Sequence, residues 1–130
     1  MNLRFAGVFA AVLALAMAAS ALSGTAQAAD VKKGKKVFNK CKACHTTKEG
    51  GANKIGPNLF GIVGRKAASV DGFKYSSAMK ESGLTWDEAT LDKYLKKPNK
   101  FVKKTKMAFA GLRKKKQRDN VIAYLKANGG

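Results

Sequence analysis

Cys41-Lys42-Ala43-Cys44-His45 is the stretch on which the reading of this chain turns. Two thiols separated by two residues and followed at once by a histidine form a C-x-x-C-H pattern. Its direct chemical reading is covalent attachment of a c-type haem. Each thiol adds to one porphyrin vinyl group, and the histidine is then positioned to bind iron from one face. A structural zinc site needs four N or S ligands, whereas the chain holds two cysteines and one histidine. A thioredoxin-like C-x-x-C needs only the thiols and stays open as a rival.

Upstream of the motif the sequence changes character. The chain has 130 residues, the length of one domain. Met1-Asn2-Leu3-Arg4 is a short basic start, Phe5 to Ala21 is a run of apolar and small residues, and Ala26-Gln27-Ala28 is an A-x-A cleavage signature. Residues 1–28 are expected to be a secretory signal peptide cleaved near Ala28, with residues 29–130 forming the haem domain. The apolar run approaches spanning length, so a retained membrane anchor stays open. Export to the periplasm suits the chemistry, because thioether formation needs reduced thiols and haem delivered together. Removing Arg4 takes the formal charge from +18 to +17. In the cytoplasm that charge would suggest nucleic acid, but no nucleic-acid motif occurs. An exported basic protein is expected to meet acidic protein patches or, transiently, an anionic membrane surface.

Between leader and motif, Asp30 is the expected N-cap of a helix reaching about Lys40. Val31, Gly34, Val37, Phe38 and Cys41 form its apolar series, and six lysines from Lys32 to Lys42 take the solvent side. Glycine on the apolar face is costly unless something approaches closely, so another helix is expected to cross at Gly34. Downstream, Thr46 to Ala68 reads as loop, stiffened by Pro57. No phosphate-cradling glycine pattern occurs in it. Tyr75 to Ser82 reads as a short helix ended by Gly83. Thr85-Trp86-Asp87-Glu88 reads as a capping box with Thr85 as N-cap, opening a helix with Leu91, Tyr94 and Leu95 on its apolar stripe and Pro98 as its stop. A last helix is expected over about Gln117 to Ala127. The domain reads as all-α, its helices joined by long loops. Such loops in a small domain need a functional cause, and a haem provides one.

With one histidine, bis-histidine ligation is impossible, and the sixth position falls to methionine, lysine or nothing. Met79 lies in the short helix, where core filling is the ordinary role. Met107 ends the non-periodic, mostly hydrophilic stretch Asn99 to Lys106. A loop carrying a thioether inward explains Met107 better than packing, so Met107 is favoured.

Further blocks run through the chain: Gly56-Pro57-Asn58-Leu59 with Gly64-Arg65, Gly72-Phe73-Lys74-Tyr75, Thr85-Trp86, Tyr94-Leu95, and Thr105-Lys106-Met107 before Phe109-Ala110-Gly111. Together with C-x-x-C-H they make residues 30–130 resemble the class I cytochromes c, in particular the mitochondrial-like bacterial cytochromes c2. The resemblance implies a small monohaem fold wrapped around one haem c, attached through Cys41 and Cys44, with His45 and Met107 as iron ligands. It implies that the Pro57 carbonyl holds the His45 Nδ1–H, and that Arg65, Tyr75 and Trp86 donate to a haem propionate. Tyr94 and Thr105 would form a polar network beside the methionine, Phe109 would shield that face, and Gly34 would meet Tyr124 where the terminal helices cross. Three features depart from the pattern. Met79 stands where an asparagine of the polar network is common, Lys103-Lys104 replaces Pro-Gly, and Asn99 replaces a docking lysine.

A filled coordination sphere leaves iron no site for substrate. The expected function is therefore a soluble one-electron carrier, not an enzyme, acting by outer-sphere transfer. The rival is a haem peroxidase or gas-binding protein with an open or weakly held sixth position, which lacks a distal histidine for acid–base work. Lys40, Lys54, Lys100, Lys106, Arg113 and Lys114 match basic positions around the haem edge in the family. The expected partners are acidic docking faces of a bc1-type complex, an oxidase or a photosynthetic reaction centre, approached by a monomer.

Overall fold

Asp30 opens the first helix by chemistry local to it. Its backbone is extended, and its carboxylate accepts the Lys33 N–H at 3.0 Å, satisfying one of the donors every helix start leaves over. In the computed structural model, which describes residues 28–130, α1 spans Val31–Phe38. The expected signal peptide, Ala28 apart, lies outside the described residues. Four further helices follow: α2 Ser77–Glu81, α3 Glu88–Lys96, α4 Pro98–Phe101 and α5 Lys115–Lys126. Among the described residues the only β pairing is an isolated antiparallel bridge between Lys66 and Thr85.

The α1–α5 crossing frames the domain. A Cβ on Gly34 would run into the Asn120 carbonyl and come within 2.8 Å of the Tyr124 Cβ, so the missing side chain lets the two backbones touch. The Asp30 N–H donates to Asn120 Oδ1 at 2.9 Å, and the Phe38 ring lies 5.2 Å from that of Tyr124. Phe38, Val121, Ile122 and Leu125 are buried there and run into Trp86, Leu91, Tyr94 and Leu95 of the α3 region.

Two expectations about α3 need correction. Asp87, not Thr85, is its N-cap, accepting the Thr90 N–H at 2.7 Å. Thr85 and Trp86 are held extended, because Trp86 N–H donates to Arg65 O and Gly64 N–H to Trp86 O, each at 2.8 Å. That pairing uses the backbone that a cap at Thr85 would have required. Pro98 does stop α3, yet it also starts α4 from the first helical position, where its missing N–H costs nothing. The stretch read as irregular from Asn99 therefore begins inside a short helix.

Candidate functional site

The turn after α1 carries the thiols. Cys41 N–H donates to Phe38 O, while Cys44 and His45 N–H both donate to Cys41 O at 3.0 and 2.9 Å. The chain thus keeps winding past the end of α1 and presents residues 41, 44 and 45 together. Both cysteines are unpaired and partly buried. Burial raises the Cys41 thiol pKa, the neighbouring Cys44 adds to this, and Lys40 opposes it. Among the described residues no group of three His, Cys, Asp or Glu side chains is placed to hold a metal ion.

His45 is held from behind. Its Nδ1–H donates to the Pro57 carbonyl at 2.7 Å, which orients the ring and leaves the Nε2 lone pair free. Burial lowers its pKa, outweighing the Pro57 bond that raises it, and the Lys54 charge acts with burial. The neutral form is the one that ligates metal. Gly56 makes this possible, since a Cβ there would lie 2.7 Å from Nδ1. The loop bearing Pro57 is closed by Asn58, whose amide donates to the carbonyls of Lys48 and Gly51, each at 2.8 Å, and whose Oδ1 accepts Phe60 N–H. In the sequence, an asparagine beside Gly-Pro is the only signal of this role.

The paired segments Gly64–Ala67 and Leu84–Trp86 bring Arg65 and Trp86 together. Arg65 donates to Asn58 O at 3.4 Å, but its Nε is buried without a partner. Burial raises the Tyr75 pKa, against the Val70 N–H bond and the nearby Arg65 charge, which lower it. The Tyr75 hydroxyl accepts the Val70 N–H at 3.1 Å, so part of the capacity expected for a propionate is used locally. Trp86 is buried, its ring 4.8 Å from Tyr94.

Tyr94 of α3 gathers the methionine loop. Its hydroxyl meets Thr105 Oγ1 at 3.2 Å and donates to Met107 Sδ at 3.6 Å. Burial raises the Tyr94 pKa and the Thr105 bond pulls it back, so the phenol keeps its proton. Phe109 packs half-buried nearby, its N–H on Met107 O. Met79 is buried in α2, and the hydrogen bonds there, with Ser76 and Ser82, use its backbone. Its sulfur takes no part in the Tyr94 network.

These residues suit a haem. Two thiols and an imidazole with a free nitrogen come from the turn after α1, and a tethered thioether comes from the loop before Phe109. A buried guanidinium nitrogen needs an acceptor, which a haem carboxylate supplies. Cys41, Leu59, Tyr75, Met107 and Phe109 pack against the core while remaining half-buried, an apolar surface of the kind a porphyrin covers.

The cytochrome c family model matches residues 31–128. The chain belongs to the cytochrome c family. It is an electron carrier, not an enzyme, and its prosthetic group is covalently bound haem c. The cytochrome c2 of Rhodoblastus acidophilus is 51% identical over 105 residues, covering 78% of this chain and 98% of that relative. Cytochrome c of Gibberella zeae is 50% identical over 98 residues, covering 75% and 92%. The solved structure of cytochrome cH from Methylobacterium extorquens is 47% identical, with a TM-score of 0.72 over 75% of this chain and 98% of its own.

This cytochrome c also holds a residue that sequence reasoning passed over. Arg118 of α5 is 4% exposed. Its Nε donates to Asp92 at 2.7 Å and its Nη1 to the carbonyls of Leu112 and Arg113, each at 2.8 Å. It ties α5 to α3 and to the segment returning from the methionine loop. In a basic run its letter looks like any other surface charge.

Proposed function

We propose that this cytochrome c carries one electron at a time on an iron held between His45 and Met107, in the periplasm, between membrane redox complexes. The haem, when bound, supplies the one-electron iron couple. The observation that carries the reading is Tyr94 Oη on Met107 Sδ at 3.6 Å, a polar hold on this thioether that supports Met107 as the ligand.

The chain's own residues do the rest. Cys41 and Cys44 anchor the porphyrin, and Pro57 raises the basicity of His45 through Nδ1–H. Met107 would contribute a soft donor that favours ferrous iron and raises the potential. Arg65 offers its unpartnered Nε to a haem carboxylate, with Tyr75 and Trp86 beside it, and Phe109 excludes water on the methionine side. Thr105 holds Tyr94 in place. Two side-chain ligands leave no position for peroxide or a gas. Lys40, Lys54, Lys100, Lys106, Arg113 and Lys114 are exposed and suited to the acidic faces of a bc1-type complex, an oxidase or a reaction centre. Residues 1–28 serve as the export signal; amino-terminal sequencing of the exported protein should begin at Ala29 or Asp30, and an intact leader would mean a retained anchor.

The ligand test is spectroscopic. Met107→Ala should abolish the weak red sulfur-to-iron band of the ferric protein, and Met79→Ala should keep it. The reverse result would move the sixth ligand to Met79.

A further inference from the structure

α5 ends at Lys126, and the residues after it fold back onto the segment that carries Arg65. Gly61 N–H donates to the Asn128 carbonyl at 2.8 Å. Asn128 is itself fixed, its N–H on Leu125 O at 3.0 Å and its side-chain amide donating to Tyr124 O at 2.6 Å. Gly129 has φ +85 and touches Phe60. A Cβ on Gly129 would come within 2.5–2.9 Å of three Phe60 ring atoms, and one on Gly130 within 3.0 Å of Val63 Cβ. Phe60, Gly61 and Val63 are thus seated on this segment. Arg65 follows by two tight turns, Ile62 N–H on Leu59 O and Arg65 N–H on Ile62 O, each at 3.1 Å. Trp86 holds the same backbone farther along, its N–H on Arg65 O. The Arg65 Nε that these supports carry is buried and has no partner of its own.

We propose that Asn128, Gly129 and Gly130, with Phe60 as the ring they close on, are positioning residues for Arg65, and that through it they help to set the reduction potential. The proposal rests on the reading of Arg65 as donor to a haem carboxylate and adds what holds that donor still. A long guanidinium side chain has much rotamer freedom to lose, so it keeps its aim only when the backbone beneath it is fixed. A cation held beside the haem disfavours the ferric state and offsets the carboxylate charge, and both effects raise the potential. Loosening Phe60 and Gly61 admits water to the Nε, weakens the pair and lowers the potential. His45 and Met107 are held by other contacts, from Pro57 and Tyr94, so the axial ligands are left as they are.

The test uses isotopically labelled ferrous holoprotein and nuclear magnetic resonance. The water-exchange rate of the Arg65 Nε–H, assigned by its loss in Arg65→Lys, is measured beside the midpoint potential and the weak red band of the ferric protein. Phe60→Ala and Gly129→Ala should each raise the exchange rate about tenfold, the order expected when one buried hydrogen bond is freed to open. Each should also lower the potential while the red band stays. Gly34→Ala, which disturbs α5 at its crossing with α1, should leave the exchange rate within about twofold of wild type, as a distant independent site does. In an Arg65→Lys background Gly129→Ala should lower the potential no further, because the residue it acts through is gone. Wild-type exchange in both Phe60→Ala and Gly129→Ala overturns the positioning role. So does equal acceleration in Gly34→Ala, which would make the effect a general loosening of α5. Either result leaves Arg65 standing as the carboxylate donor. A wild-type Arg65 Nε–H that exchanges as fast as that of free arginine overturns the donor reading and the proposal with it.

Discussion

Lys104 has φ +64, a left-handed backbone that a side chain other than glycine or asparagine adopts at a cost. It stands beside Lys103 in the loop that delivers Met107. Lys104→Gly should therefore stabilise the holoprotein by roughly 0.5–1 kcal/mol, read from the denaturant midpoint, with Lys103→Gly giving no such gain. Gly56 is the converse case. Gly56→Ala forces a Cβ against the His45 ring and should cost about 1–3 kcal/mol, as overpacking does. The ferric spectrum should also change as the imidazole tilts, and a spectrum and midpoint like wild type would show that the ring has room. The sequence marks both positions only weakly, since one is a lysine among lysines and the other a glycine in a glycine-rich loop. What distinguishes them is a dihedral angle and a neighbour that lies eleven residues away in the chain.

At the scale of elements, α1 and α5 depend on Gly34. Gly34→Ala would press a methyl group into the Asn120 carbonyl, and the helix-propensity gain of about 1 kcal/mol should be outweighed. Net destabilisation of about 1–3 kcal/mol, with lowered helical circular dichroism at moderate temperature, is the expected result. The caps bring pH dependence. Asp30 and Asp87 have pKa values below the ordinary 3.8, chiefly through hydrogen bonds from the N–H groups of Lys33 and Thr90. A carboxylate depressed in the folded state contributes stability that is full above its unfolded pKa, about 4, and is lost as pH falls through the lower folded value. Between about pH 5 and pH 3 the wild type should lose more stability than Asp87→Asn, which caps without titrating. Thr85→Ala should hardly move the melting temperature, since Thr85 caps nothing. The cap was misplaced from sequence because Thr-x-x-Glu is a sound local signal. Pairing of Trp86 with Arg65, twenty-one residues upstream, overrode it.

At the scale of the whole molecule the formal charge is +18, and Lys40, Lys54, Lys100, Lys106, Arg113 and Lys114 are exposed. Electron transfer to an acidic partner should slow steeply as salt rises, because screening at 0.1 M already acts over about 10 Å; a rate indifferent to ionic strength would remove steering from the account. Cofactor, helical class and family were legible from the sequence because each is written in local spacing. Thiols two apart and a histidine next to them define the attachment chemistry, and apolar residues three and four apart define helix faces. The glycine in the first helix even announced a helix crossing, which proves to be with the last. Tertiary structure decided what spacing cannot express: Asp87 rather than Thr85 as the cap, a short helix begun by Pro98, and Arg118 buried in an ionic tie rather than solvated. Tyr94 reaching Met107 Sδ belongs with these. Each depends on which distant backbone occupies a given volume, a many-body packing outcome that no window of neighbouring residues contains.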